Sequence, residues 1–298
     1  MKKISEVFKV ALVQQDCTKN QEKNLAKSIA EIQSAAQAGA QLVVLQELHS
    51  NLYFCQSEDS ENFDLAETIP GPLTEKLSGA AKENKIVIVG SVFEKRAASI
   101  YHNTAVVLDS DGSLAGCYRK MHIPDDPGYY EKYYFAPGDN EFKPIKTSVG
   151  KLGVMVCWDQ WYPEAARCMA LNGAEILIYP TAIGWDPDDD KAEKQRQLDS
   201  WQVIQRSHAI ANNLPLICCN RTGHEADLTE QSNGIDFWGH SFITGPQGEI
   251  LAQASGHEAQ TLISEIDLGR TESVRRIWPF FRDRRIDAYD ALTKRFGK

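Results

Sequence analysis

The chain reads as an α/β protein layered helix–sheet–sheet–helix, and three observations predict this. β-forming runs alternate with amphipathic helical segments along most of the sequence. Several of the β runs are apolar on both faces, as in "QLVVLQE" (Gln41–Glu47) and "KIVIVGSVFE" (Lys85–Glu94), so their sheets need cover on two sides. "AQAGAQLVVLQE" (Ala36–Glu47) is echoed by "ALNGAEILIYPT" (Ala170–Thr181), each a helix end, a Gly-Ala step and a buried strand. That echo predicts two similar halves facing each other.

The elements follow in order. Phe8–Gln15 alternates as a strand. Asn20–Ala38 places Leu25, Ile29, Ile32 and Ala36 on one helical face, and Gly39 stops it. Gln41–Glu47 is a buried strand. Pro72–Asn84 is a helix with proline at its start. Lys85–Glu94 is a strand, and Tyr101–Lys120 a hairpin about Asp111-Gly112. A strand over Lys151–Cys157, a helix from about Pro163 and a strand over Glu175–Pro180 come next. The acidic run "DPDDDKAEK" (Asp186–Lys194) caps a long helix, roughly Lys191–Asn213. Leu214–Asn220 is a strand, Ser241–Ala254 a hairpin and Gln260–Asp267 a last strand. No linker rich in Gly, Ser or Pro interrupts this, so we expect one domain over 1–298, with a basic, aromatic arm from about 268.

Bulk properties narrow the function. The 298 residues are 42% hydrophobic and 24% charged, an ordinary globular balance. A formal net charge of −9 disfavours nucleic acid and anionic membranes as partners. No apolar run approaches the ~18 residues of a membrane span. Glu6 and Lys9 interrupt any signal-peptide core in "MKKISEVFKVALVQQD". The seven cysteines are odd in number and lack a CxxC pair, which reads as reduced, cytoplasmic usage. The seven histidines show no HxxxH spacing, and no Gly-rich phosphate loop occurs, so neither metal nor nucleotide cofactor is expected. The sequon Asn220-Arg221-Thr222 is taken as incidental.

Three residues at strand ends invite chemistry. Cys157 lies between a β run and a helix start, where a dipole favours thiolate and the following N–H can face an oxyanion. It reads equally as a buried structural cysteine. Glu47 ends an apolar strand, where partial burial would bring it toward general-base range; a solvated strand-end acid is the alternative. Lys120, in "CYRKMHIP", could hold an oxyanion if it pointed inward, although most lysines lie at the surface. A Cys–His pair of Cys157 with His122 or His208 also stays open.

Taken together, "LVVLQELHSNLYF", "YRKMHIPDDPGYYEKYYFAPGD" and "GVMVCWDQWYPEAAR" carry Glu47, Lys120 and Cys157 in an order that resembles the nitrilase, or carbon–nitrogen hydrolase, superfamily. The resemblance runs from Phe8 to about Tyr289. It implies the four-layer αββα sandwich of the nitrilase type and hydrolysis of a non-peptide C–N bond through a thioester. It also implies a catalytic set of Glu47 as base, Lys120 and the Trp158 N–H at the oxyanion, and Cys157 as nucleophile, with Glu131 in support. Cys157-Trp158-Asp159 stands where true nitrilases carry Cys-Trp-Glu. "CWDQWYPEAAR", "HIPDDPGYYEKYYF" and "RRIWPFFRDRRIDAYDAL" look like the superfamily's polyamine branch, which acts on a carbamoylated four-carbon diamine.

Such a small cationic carbamoyl-amine substrate calls for an aromatic tunnel with an anionic end. Tyr53, Tyr130, Trp161 and Trp185 are candidates for the walls. Asp125 is the candidate for the ammonium, with Asp126 and Asp186 as competitors. A carboxylate-bearing substrate would need a cation, for which Arg167 is the nearby candidate. Other readings are a β-ureidopropionase-like or ω-amidase-like hydrolase, or a scaffold without turnover. Trp278, Phe280 and Phe281 in the arm suggest a homo-oligomer.

Overall fold

Alternation along each strand sorts the side chains into layers. In the computed structural model, which describes residues 7–297 apart from Gln231, the first half runs β1 (Val7–Gln14), α1 (Gln21–Gln37), β2 (Ala40–Leu45), α2 (Pro72–Asn84), β3 (Val87–Ala97), β4 (Ile100–Leu108) and β5 (Leu114–Arg119). A single turn, α3 (Glu131–Tyr134), precedes β6 (Ile145–Thr147), β7 (Gly150–Val154), α4 (Pro163–Leu171) and β8 (Ile176–Pro180). Then come β9 (Gly184–Trp185), α5 (Lys191–Asn212), β10 (Leu216–Cys219), β11 (Thr222–Glu225) and β12 (Ile235–Trp238). The chain finishes with β13 (Phe242–Thr244), β14 (Ile250–Gln253), β15 (Gln260–Asp267) and α6 (Leu268–Ile277). Lys2, Lys3 and Glu6, which entered the reading of the N-terminus, lie outside the described residues.

Two six-stranded sheets result, ordered β15-β1-β2-β3-β4-β5 and β14-β13-β10-β8-β7-β6. Each has a parallel centre: β1, β2 and β3 in one, β7, β8 and β10 in the other. Val10 and Leu12 of β1 and Leu42 and Val44 of β2 share a buried cluster with Leu152 and Val154 of β7 and Ile176 and Ile178 of β8. The intervening Ala11, Val13 and Val43 pack instead with Ile32 and Ala35 of α1 and Leu77 of α2. Met169 of α4 and Trp201 of α5 belong to the cluster around the second sheet. The layers are therefore helix, sheet, sheet, helix, the αββα sandwich expected, because period-2 strands with both faces apolar can be satisfied only between two other layers.

The internal echo is structural. Gly39 and Gly173 each follow a helix with φ of +88° and +90°, a conformation that favours glycine, and each leads into a central parallel strand. Asp190 caps α5 by accepting from the Glu193 N–H at 2.8 Å, as the acidic run suggested. A small sheet ordered β11-β12-β9 was not anticipated, since Gly184–Trp185 is too short to show a period. No helix among the described residues is long and apolar enough to cross a membrane.

Leu77 is wholly buried between α2 and the first sheet. Leu77→Ala is expected to cost about 2–5 kcal/mol in chemical denaturation, with the midpoint lowered and the m-value kept. A loss below about 0.5 kcal/mol would contradict that packing.

Candidate active site

The parallel strands deliver their C-terminal ends to one rim. Glu47 lies two residues past β2, in a turn rather than in the strand, and its N–H donates to the Thr181 carbonyl just past β8 at 3.3 Å. Leu48 is left-handed (φ +49°), which turns the chain sharply and leaves the Glu47 carboxylate buried. Its Oε1 accepts from Asn103 Nδ2 at 2.6 Å and from Lys120 Nζ at 2.9 Å. Its Oε2 has no hydrogen-bond partner within the structure.

Lys120 follows β5, and its N–H donates to the Asn103 carbonyl at 2.9 Å. Its buried Nζ donates to Glu47 and also to Glu131, at 2.7 and 2.9 Å. Burial opposes its charge, but Glu131 and Glu47 outweigh that and hold the ammonium well above the usual lysine value. Glu131 opens α3 and also accepts from the Tyr53 hydroxyl at 2.7 Å. Burial raises its carboxyl value, with Lys120 pulling the other way.

Cys157 begins a 3-10 turn, Cys157–Trp161, with φ +43°. Its buried Sγ points to the Ala182 carbonyl at 3.7 Å. The helix start expected to ionise it is elsewhere: α4 begins at Pro163. Burial, reinforced by Glu47, pushes the thiol well above its ordinary 9.0 despite Lys120. The resting group is a thiol, so it needs a base.

Asp159 locks the two loops together. Its Oδ2 accepts from the Val156 N–H (3.0 Å) and the Tyr118 hydroxyl (2.9 Å), its Oδ1 from the His122 N–H (3.1 Å). The His122 ring is bonded to the same carboxylate at 2.7 Å and stacked on Tyr162. His208 sits near the Tyr179 hydroxyl at 3.4 Å. Neither histidine is bonded to Cys157, so the Cys–His pairing is not formed.

Cys157 opens into a cavity of about 590 Å³ whose wall includes Trp158, Trp161, Tyr129, Trp238, Asp126 and Asp186. A larger groove of about 770 Å³, between α1 and α2, carries none of Glu47, Lys120 or Cys157. The other residues named from the sequence fall outside the Cys157 cavity. Tyr53 is buried behind Glu131, and Tyr130 lines a neighbouring acidic cavity. Trp185 packs against Trp238, with its Nε1 donating to the Lys194 carbonyl. Asp125 lies at the surface, 3.8 Å from Lys132. Arg167 is bonded to the Ala211 carbonyl and lies against Phe281. Sequence reasoning missed Tyr129, Trp238, Asn103 and Asp159. Asn103 alone had a readable signal, as an amide within the apolar run of β4.

A carbon-nitrogen hydrolase family model matches residues 9–276. The chain belongs to the carbon-nitrogen hydrolase family. An N-carbamoylputrescine amidase of Solanum lycopersicum is 45% identical over 285 residues, 95% of this chain and 94% of its own. A citrullinase of Francisella tularensis is 43% identical over 292 residues, covering 97% of this chain and 99% of its own. The crystal structure of a carbon-nitrogen hydrolase from Helicobacter pylori G27 superposes with a TM-score of 0.95 at 54% identity, covering 97% of this chain and 99% of that one.

For this family member the state of the thiol can be measured. The thiolate absorbance of the native protein, minus that of Cys157→Ala, is expected to stay flat through the neutral range and to rise only above the ordinary thiol value. A step on the acid side of that value would show an ionised resting thiol instead.

Proposed function

We propose that the protein hydrolyses N-carbamoylputrescine to putrescine, carbon dioxide and ammonia, serving polyamine synthesis. The observation that carries this reading is the buried Glu47–Lys120–Glu131 network around Cys157, whose own side of the site opens into an acidic cavity. Glu47 Oε2, free of other bonds, takes the Cys157 proton. The thiolate adds to the carbamoyl carbon. Lys120 Nζ and the Trp158 N–H hold the resulting oxyanion. The tetrahedral adduct collapses, the amine leaves with the proton from Glu47, and a carbamoyl thioester remains on Cys157. Water, deprotonated by Glu47, cleaves it to carbamate, which decomposes to ammonia and carbon dioxide. Glu131 keeps Lys120 charged and aimed.

Selectivity follows from the charges on the wall. Asp126, Asp186, Asp189 and Glu193 line the cavity, and among the described residues lining it the sole cation is Arg196, already paired with Glu193 at 2.6 Å. A substrate ammonium fits there, and we assign it to Asp126 and Asp186 rather than to Asp125. Citrulline is the same carbamoyl amine with an α-carboxylate added, and that carboxylate would meet acids without an unspent cation.

The arm supports self-association. Ile277, Trp278, Ile286 and Phe296 are exposed, as is Val203 on α5; such a spread of apolar surface is costly in water and suits a subunit contact. The seven free thiols fit a reducing compartment, the cytoplasm.

Ammonia release from carbamoylputrescine, citrulline and N-carbamoyl-β-alanine tests the assignment. Carbamoylputrescine should lead by roughly 100-fold in kcat/KM, and Cys157→Ala should abolish turnover. Asp186→Asn should raise KM about tenfold with kcat kept, in line with loss of a charge-assisted bond. Faster turnover of citrulline or of the β-alanine derivative would overturn the substrate. Light scattering on the native chain should report an oligomer, and Trp278→Ser should weaken it; a monomer at assay concentration would remove the arm's proposed role.

A further inference from the structure

Behind Glu47 lies a second buried charge that the reaction sequence above does not use. Arg221, between β10 and β11, is wholly buried. Its Nη2 donates to the carbonyls of Glu47 (2.8 Å) and Leu48 (3.1 Å), and its Nη1 to the Asn51 carbonyl (3.1 Å). These are the carbonyls of the turn that leaves β2, bent by left-handed Leu48. Nη1 also meets Glu225 Oε1 at 2.5 Å, while Glu225 Oε2 accepts the Tyr53 N–H at 2.6 Å. The guanidinium lies over the rings of Tyr53 and Phe237, 5.9 and 5.2 Å from their centroids. Tyr53 in turn reaches Glu131 through its hydroxyl.

We propose that Arg221 is a positioning residue for the general base, holding the turn that aims Glu47 and, with Glu225 as its counter-ion, balancing the charge of the buried carboxylates. The proposal rests on the reading of Glu47 as the base.

The geometry suits a fork and no other side chain. A planar guanidinium can bond three carbonyls and one carboxylate together, whereas a lysine would present a single point of donation. The charges agree as well. Glu47, Glu131 and Glu225 face Lys120 and Arg221, so the buried set carries three carboxylates against two cations. Burial keeps several titratable neighbours neutral, the raised Tyr129 phenol among them. Burial, with Arg221, drives His49 down to about 3, and burial takes Cys17 up to about 11. Burial also raises Cys55, Tyr53 and Cys157 well above their usual values. Removing the Arg221 charge would leave three carboxylates sharing Lys120, and protons would enter the set at higher pH. Removing the Glu225 charge would do the reverse.

Three variants separate position from charge, read by kcat/KM and by the pH dependence of Cys157 alkylation with iodoacetamide. Arg221→Lys keeps the charge and loses the fork: kcat and the alkylation rate should fall roughly 10- to 100-fold at unchanged KM, with the acid limb in place. Arg221→Gln should also move the acid limb up by about 1 unit, and Glu225→Gln should move it down. Full activity in Arg221→Lys overturns the positioning role. An acid limb unmoved in Glu225→Gln, or shifted in the same direction as in Arg221→Gln, overturns the charge role. If the Arg221 variants do not fold, the direction of the Glu225→Gln shift decides alone. Alkylation needs no carbamoyl substrate, so inertness toward carbamoylputrescine with normal alkylation would sink the substrate assignment and leave this one standing.

Discussion

Everything in the site depends on one buried ammonium. Lys120 has no water to solvate it, and an isolated charge there would be lost to deprotonation. It survives because Glu47 and Glu131 both reach it within 2.9 Å. The dependence runs both ways, since two buried carboxylates this close could not both stay charged without a cation between them. The triad thus acts as one electrostatic unit before any substrate enters.

That unit explains the resting state of Cys157. Cys157 is buried beside carboxylates at the wall of the cavity, and its thiol keeps its proton. A site that stored a thiolate would need a helix dipole or a bare cation, and Lys120 is already committed. The protein instead keeps a protonated thiol near the Glu47 carboxylate. Two left-handed residues, Leu48 and Cys157, stand at the turns that carry the Glu47 carboxylate and the thiol. Non-glycine residues in this conformation persist where surrounding bonds over-determine the backbone, and here those bonds come from Thr181, Asp159 and Arg221. The strain is spread over loops from both halves of the sandwich.

The net charge of −9 and the cavity wall have the same sign, but their fields differ in range. Bulk charge steers cations weakly across a screened surface. Asp126 and Asp186, inside a cavity with indole and phenol walls, act at short range where screening is poor. Arg196, balanced by Glu193, adds no free positive charge.

The layered fold was legible in the sequence because its cause is periodic. Strands with two apolar faces require two covering layers, and the echo between Ala36–Glu47 and Ala170–Thr181 carries the duplicated core. Glu47, Lys120 and Cys157 were legible as members of extended motifs at strand ends. The lining of the cavity was not, because it depends on which way loop residues turn. Asp125 and Asp126 are neighbours in sequence, yet one lies at the surface and the other on the cavity wall. Tyr129 and Tyr130 divide in the same way. Nothing local marks Arg221 as a partner of Glu47 either, since the carbonyls it holds lie up to 174 residues away. Sequence by itself determined the layers and singled out Glu47, Lys120 and Cys157, through periodicity and motif. Tertiary structure alone decided the thiol's protonation, the direction of the loops and the balance of buried charge, because burial and long-range contact set those quantities.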